Sequence, residues 1–282
     1  MAAAPFEVAL GSMTFRGLQW NESGDGAPVL CLHGFPQHSS SWTGVAERLA
    51  ALGRWVVAID QRGYSPGARP SALAAYALPH LVADAAGMIS ALGGPAHLVG
   101  HDWGGVVGWQ VAARHPELVQ SWTAVSTAHP LALNQVLASD PAQRDRFGYI
   151  RVFRERGEEL LLADDARRLR ALYGTAVAPE QVEAEVAAFR EPGALTAALA
   201  WYRAMSSSDA VDLPRVTVST AYVWGSTDPA FGPEAAAATG AYVDGPYRFV
   251  ALHGAGHWLP DEAPDSVADV IADLLAATET LG

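Results

Sequence analysis

Short apolar runs alternate with helical stripes along the first half of the chain. Residues 28–32 and 55–59 are continuous apolar runs of strand length, the pattern of strands buried on both faces. Residues 13–19, 96–99 and 119–125 read as further short strands. Between them lie segments of helical spacing. Val45, Leu49 and Leu52 share one face of a helix over 42–52. Leu78, Leu81, Val82, Ala85, Met88, Ile89 and Leu92 trace another stripe, which Gly93-Gly94-Pro95 stops. A third helix is predicted over 103–114. Repeated β-α-β order with short buried strands predicts an α/β fold: a mostly parallel sheet with helices on both faces.

The pattern changes between residues 128 and 213. No strand-like run appears there, and helices are predicted over 143–156, 164–173, 179–190 and 194–205. Strand signals return from Val216, at 220–224 and 248–252, and a last helical stripe covers 264–276. The expected organisation is therefore a core contributed by residues 1–127 and 214–282, with a helical insertion over 128–213.

Composition narrows the function classes. Half of the 282 residues are apolar, 17% are charged and mean hydropathy is +0.10, so the chain should fold around a sizeable core. No apolar run approaches the roughly 20 residues of a membrane span. The net charge is −12, and all 18 basic residues are arginine. An acidic chain without basic clusters is a poor partner for nucleic acid or an anionic membrane. It also has no lysine for a Schiff base or a phosphate loop. The single cysteine, Cys31, cannot form an intrachain disulfide, and no Cys/His cluster has zinc-ligand spacing. The first residues show no signal-peptide pattern. The expectation is a cytoplasmic protein without metal or cofactor, a monomer or homodimer acting on a small molecule.

The sharpest chemical signal is Val99-Gly100-His101-Asp102-Trp103-Gly104-Gly105, which follows a strand and opens a helix. Small residues on both sides of a central one are what a strained strand-to-helix elbow requires, and the elbow presents the central side chain at the carboxyl end of the sheet. Here that side chain is Asp102. The bland alternative is a tight turn with an aspartate helix cap. Leu32-His33-Gly34-Phe35-Pro36 also follows a strand, where the backbone N–H groups of Phe35 and Trp103 can face one oxygen. His257, in Gly254-Ala255-Gly256-His257-Trp258, is placed as a loop-borne base, and Asp228, in Trp224-Gly225-Ser226-Thr227-Asp228-Pro229, as the acid that orients it. Nucleophile, acid and histidine follow one another in the chain order of α/β-hydrolases.

Together with Asp60-Gln61-Arg62-Gly63-Tyr64, these segments resemble the α/β-hydrolases, and within them the branch of epoxide hydrolases and haloalkane dehalogenases. The resemblance spans nearly the whole chain and implies that the helical insertion is a cap over the site. A carboxylate nucleophile suits an sp³ carbon with a leaving group, because the product is an ordinary ester that His257-activated water can split. An epoxide leaves as a basic alkoxide and needs a proton, which in epoxide hydrolases two cap tyrosines supply. The matching positions are Tyr149 and Tyr202, with Tyr173 a competitor for the first. Phe35, apolar where haloalkane dehalogenases place a polar halide contact, and the absence of arginines after Asp102 both weigh against dehalogenation. A non-catalytic binder would be marked by a lost triad residue, and none is lost. His33, Phe35, Pro36, Trp42, Trp103 and Trp258 are expected around the substrate, with His33 and His101 also holding loops.

Overall fold

The strand-sized runs pair into one eight-stranded sheet in the computed structural model, which describes residues 2–206 and 208–280. The strands are β1 (Ala4–Leu10), β2 (Met13–Trp20), β3 (Val29–Leu32), β4 (Val56–Ile59), β5 (Ala96–His101), β6 (Val119–Val125), β7 (Thr220–Gly225) and β8 (Tyr247–Leu252). They lie in the order β1-β2-β4-β3-β5-β6-β7-β8. β2 runs antiparallel to β1 and β4, and every other neighbouring pair is parallel. β3, β4, β5 and β7 are buried along their whole length, which is why they read as continuous apolar runs rather than alternating ones. β1, at one edge of the sheet with no buried residue, is absent from the sequence reading. The strand signal at Val216 yields only an isolated bridge to Val243.

Helices α1 (Thr43–Ala51), α2 (Leu78–Ala91) and α3 (Trp103–Arg114) connect the first strands. Between β6 and β7 come α4 (Pro130–Ser139), α5 (Pro141–Arg146), α6 (Gly148–Leu161), α7 (Ala163–Tyr173), α8 (Pro179–Arg190) and α9 (Ala194–Ala204). Helices α10 (Pro233–Ala238), α11 (Leu259–Glu262) and α12 (Pro264–Glu279) complete the chain. Two apolar cores result, one on each face of the sheet. Val45 and Leu49 of α1 join Val267 and Ile271 of α12 against Cys31, Val99 and Val223 on one face. The other face buries α2 and α3 against Leu30, Leu98 and Trp122, and this core continues into α6–α9. Helix α4 was not anticipated, and the helix expected over 143–156 divides into α5 and α6 at Phe147.

One hydrogen bond helps to seat the helices between β6 and β7 on the sheet's carboxyl end. The Trp201 indole N–H donates to the Arg62 carbonyl at 2.8 Å, and Arg62 is itself held by Asp84 at 2.6 Å. Helices α6 and α9 are tied by Arg154 Nε donating to the Tyr202 carbonyl at 2.6 Å and Arg203 Nε to the Arg154 carbonyl at 3.0 Å.

At the start of α3 the helix approaches β3 so closely that a Cβ on Gly104 would lie 2.2 Å from the Leu32 carbonyl oxygen. Neither strand nor helix can retreat without opening the core. Gly104→Ala should therefore destabilise by about 3 kcal/mol, lowering the thermal midpoint by roughly 5–10 °C. A midpoint unchanged in differential scanning calorimetry would show that the elbow backbone has room to move.

Candidate active site

The parallel pairing of β3 with β5 sets Leu32 opposite Gly100, so the loops that leave these two strands emerge side by side. Phe35 N–H accordingly donates to Asp102 Oδ1 at 2.9 Å. Gly34 is required beside this contact, since a Cβ there would lie 2.3 Å from the Asp102 side chain. Asp102 itself has φ 51° and ψ −119°, in the left-handed half of conformational space. Its side chain makes no capping hydrogen bond to α3, which disposes of the helix-cap alternative. The Thr127 hydroxyl braces the strained residue by donating to the Asp102 carbonyl at 3.0 Å.

The second carboxylate oxygen, Oδ2, lies 3.6 Å from His257 Nε2. His257 Nδ1 donates to Asp228 Oδ2 at 2.9 Å. The other Asp228 oxygen accepts from the N–H groups of Ala230 at 2.7 Å and Phe231 at 3.1 Å, so the carboxylate cannot rotate away. Asp228 follows β7 and His257 follows β8, and those strands pair as parallel neighbours. Every member of the cluster thus sits beyond the carboxyl end of a parallel strand, where open α/β sheets place their sites. His101, the last residue of β5, donates from Nε2 to the His257 carbonyl at 2.8 Å and so holds the His257 backbone.

Tyr149 of α6 and Tyr202 of α9 face this cluster. Two cavities, of about 150 and about 240 Å³, meet at Asp102, and both tyrosines border each of them. Their rings lie 6.5 Å apart. Tyr202 packs edge-on against Trp103 at 5.2 Å and Phe35 at 5.5 Å. The larger cavity is otherwise walled by Phe35, Pro36, Phe153, Leu172 and Trp258, with Arg146 as its one arginine. The smaller runs between Leu78, Val106, Leu133, Ile150 and Phe231.

Two positions expected around the substrate, Trp42 and His33, differ, and the competitor Tyr173 also lies elsewhere. Tyr173 borders neither cavity; its hydroxyl donates to the Pro36 carbonyl at 2.5 Å. Trp42 is fully buried in the core under α1, on the opposite face of the sheet from the cavities, because its indole belongs to the α1–α12 packing. His33 is also fully buried, and both ring nitrogens are taken. Nδ1 donates to the Gly34 carbonyl at 3.0 Å and Nε2 accepts from Gln61 N–H at 3.1 Å, which leaves nothing for a ligand. Phe35, Pro36, Trp103 and Trp258 do line the cavities.

A family model for the alpha/beta hydrolase fold matches residues 27–264. The chain belongs to the α/β-hydrolases. This hydrolase is 32% identical over 289 residues to Epoxide hydrolase A of Mycobacterium tuberculosis, a match covering 86% of this chain and 89% of that one. It is 32% identical over 249 residues to Epoxide hydrolase 4 of Mus musculus, covering 84% and 69% of the two chains. Among solved structures, an epoxide hydrolase of Bacillus megaterium in complex with an inhibitor superposes with a TM-score of 0.87 at 26% identity, over 96% of this chain and all of that one. Among the described residues the hydrolase has no helix long and apolar enough to cross a membrane.

The electrostatics of the hydrolase follow from three charged groups in a buried space. Burial alone would lower the His257 pKa, but Asp228 and Asp102 outweigh it and raise the imidazole from 6.5 to about 10. Burial pushes the Asp102 carboxyl up, and the bond and charge of His257 reverse that, leaving it below its ordinary value. Tyr149 and Tyr202 are both raised, by burial first and then by the Asp102 charge, so their phenols stay protonated. Burial lowers His101 to about 4, which keeps it a neutral donor. Sequence reasoning missed Phe153, Leu172 and Arg146 in the cavity wall. Phe153 was visible only as one apolar residue in the tract 149–154, with nothing to distinguish a wall residue from core.

A raised histidine pKa stabilises the fold at low pH. Its contribution is complete below about 6.5, where the imidazole is charged in folded and unfolded chains alike. It is lost as pH rises through about 10. The His257 imidazole should titrate near 10 in an NMR titration, and the thermal advantage of the parent over His257→Gln should shrink between pH 7 and 10. A His257 resonance titrating near 6.5 would contradict the arrangement.

Proposed function

We propose that this hydrolase opens epoxides to vicinal diols through an ester on Asp102. The observation that carries the reading is a carboxylate at the elbow with one oxygen on a backbone N–H, the other facing His257, and two phenols bordering the same cavities. A serine in this setting attacks acyl carbon. An aspartate attacking an ester would form a reactive anhydride, whereas attack on a ring carbon forms a stable ester.

In the first step Asp102 Oδ2 forms a bond to a ring carbon while the C–O bond of the epoxide breaks. Tyr149 and Tyr202 hold the leaving oxygen and give it a proton, which solvent then restores to the phenol. Once Asp102 is esterified, the His257 imidazolium releases its proton to solvent; in the second step the neutral imidazole takes a proton from water, and the hydroxide adds to the Asp102 carboxyl carbon. The resulting oxyanion is faced by the N–H groups of Phe35 and Trp103. Collapse breaks the ester bond, the diol leaves with a proton, and Asp102 is regenerated. Esterification removes one of the two carboxylates that hold His257 high, so its basicity is brought toward that of a general base only once the ester exists. Asp228 keeps the imidazole in the tautomer that needs Nε2 for the water.

Halide displacement would use the same Asp102 and His257. The tyrosine pair and the apolar Phe35 side chain favour ring opening. The reading treats the helices of residues 128–213 as a cap over residues 1–127 and 214–282. It takes a small, largely apolar substrate, shared between the two cavities, with no cofactor, in a cytoplasmic monomer or homodimer. The one cysteine, Cys31, is buried and needs no oxidising compartment.

His257→Gln should trap the ester, because alkylation does not need the base and hydrolysis does. Intact-mass spectrometry after mixing with an epoxide should show one substrate mass added, on the Asp102 peptide. Full turnover by the variant, or an adduct elsewhere, would overturn the assignment. Tyr149→Phe combined with Tyr202→Phe should reduce ring opening by about 10²–10⁴ with an unchanged thermal midpoint. A double variant within a fewfold of the parent would remove the tyrosines from the chemistry.

A further inference from the structure

The loop that carries the Phe35 N–H is gripped from outside the sheet. Glu185 lies on the apolar stripe of α8 with Val182, Val186 and Phe189, and is only 2% exposed. A carboxylate on such a stripe is costly unless fully partnered. Its partners all come from the segment following Phe35. Glu185 Oε1 accepts from the His38 backbone N–H at 3.1 Å and from the Ser40 hydroxyl at 3.5 Å, and Oε2 is paired with His38 Nδ1. Burial opposes a charged His38 imidazole, and Glu185 overrides it, so the pKa is raised. The His38 ring is packed between Tyr64 and Phe189, each with its centroid 5.2 Å away. Toward Phe35 the loop is closed by Gln37 N–H donating to the Gly34 carbonyl at 2.9 Å. The Phe35 peptide is therefore suspended between the β3 end and the Glu185 anchor.

We propose that Glu185 is a positioning residue for the oxyanion N–H of Phe35, acting through His38 on hydrolysis of the Asp102 ester and not on its formation. The proposal rests on the two-step reading above. The selectivity follows from where charge resides. Phe35 N–H faces a full carboxylate charge before alkylation, and alkylation drains that charge into the ester. A loosened N–H therefore does not slow ester formation. Hydrolysis returns a full charge to the same oxygen in the tetrahedral intermediate, and there a loosened N–H slows the reaction. A residue that merely held α8 in place would instead disturb the helices carrying Tyr149 and Tyr202, and so slow ring opening.

The test is rapid-quench kinetics on the full chain with styrene oxide, enzyme in excess, following the Asp102 ester by mass spectrometry. Removing an oxyanion donor outright costs about 10²–10³ in rate, so loosening one should cost roughly tenfold. In Glu185→Gln, ester decay should slow roughly tenfold while ester formation stays within about twofold of the parent. At steady state, kcat and KM should fall together with kcat/KM preserved. Glu185→Ala, which also loses the acceptor for His38 N–H, should decay more slowly still. His38→Asn provides the same comparison if Glu185→Ala does not fold. Ester formation slowed as much as decay, or neither rate changed, would overturn the positioning role. Absence of any Asp102 ester in the parent and in His257→Gln would instead overturn the two-step reading, and the positioning role would fall with it.

Discussion

The pairing of β3 with β5 is the constraint on which the rest of the site depends. Placing Leu32 opposite Gly100 brings two loops out of adjacent strands at the same height. One then offers a backbone N–H, and the other a carboxylate forced outward by a left-handed backbone. The glycines at 34 and 104 are demanded by that proximity. On the far side, the parallel pairing of β7 with β8 does the same for Asp228 and His257. Four residues spread over most of the chain are in this way reduced to two strand registers.

Charge balance is the second constraint. Two carboxylates and one imidazole occupy a buried volume, and the imidazole remains protonated because two anions outweigh its desolvation. In the proposed mechanism the same arithmetic changes when Asp102 becomes an ester. The neighbouring histidines illustrate the opposite case: His33 and His101 lack an ion-paired carboxylate, burial dominates, and both are driven to about 4. Of three histidines near one elbow, one is thus charged and two are neutral, for a reason visible in their partners.

Much of this is legible in the sequence because strained backbone and buried strands leave local marks. The elbow, the Phe35 loop, Asp228 and His257 each follow a short apolar run, and their order along the chain identifies them. The sheet is readable where strands are buried on both faces; of the two edge strands, neither of which has a buried residue, β8 is read and β1 is not. Cavity-lining residues are harder. Trp42 and Trp258 look alike as sequence; only the packing shows one under α1 and the other beside Asp102. Tyr149 is the matching position in the sequence, with Tyr173 its nearest competitor. They separate only when the Tyr173 hydroxyl is found on the Pro36 carbonyl. Glu185 did leave a trace, a charge on an otherwise apolar helical stripe, but its meaning required knowing what lies opposite.

The helices between β6 and β7 enter and leave through two adjacent strands of one sheet, with Trp122 beside Thr220. Such an insert is topologically easy to exchange: a foreign helical segment spliced at those two junctions leaves the strand order untouched. The ties from Tyr173 to Pro36 and from Glu185 to His38 make the exchange less free than topology suggests. A chimera without them would keep Asp102, Asp228 and His257 and still present a pocket, but it would lose two contacts that brace the loop after β3. Recombining such inserts to broaden a substrate range therefore calls for transplanting the residues that brace the recipient's loop along with those that shape the donor's pocket.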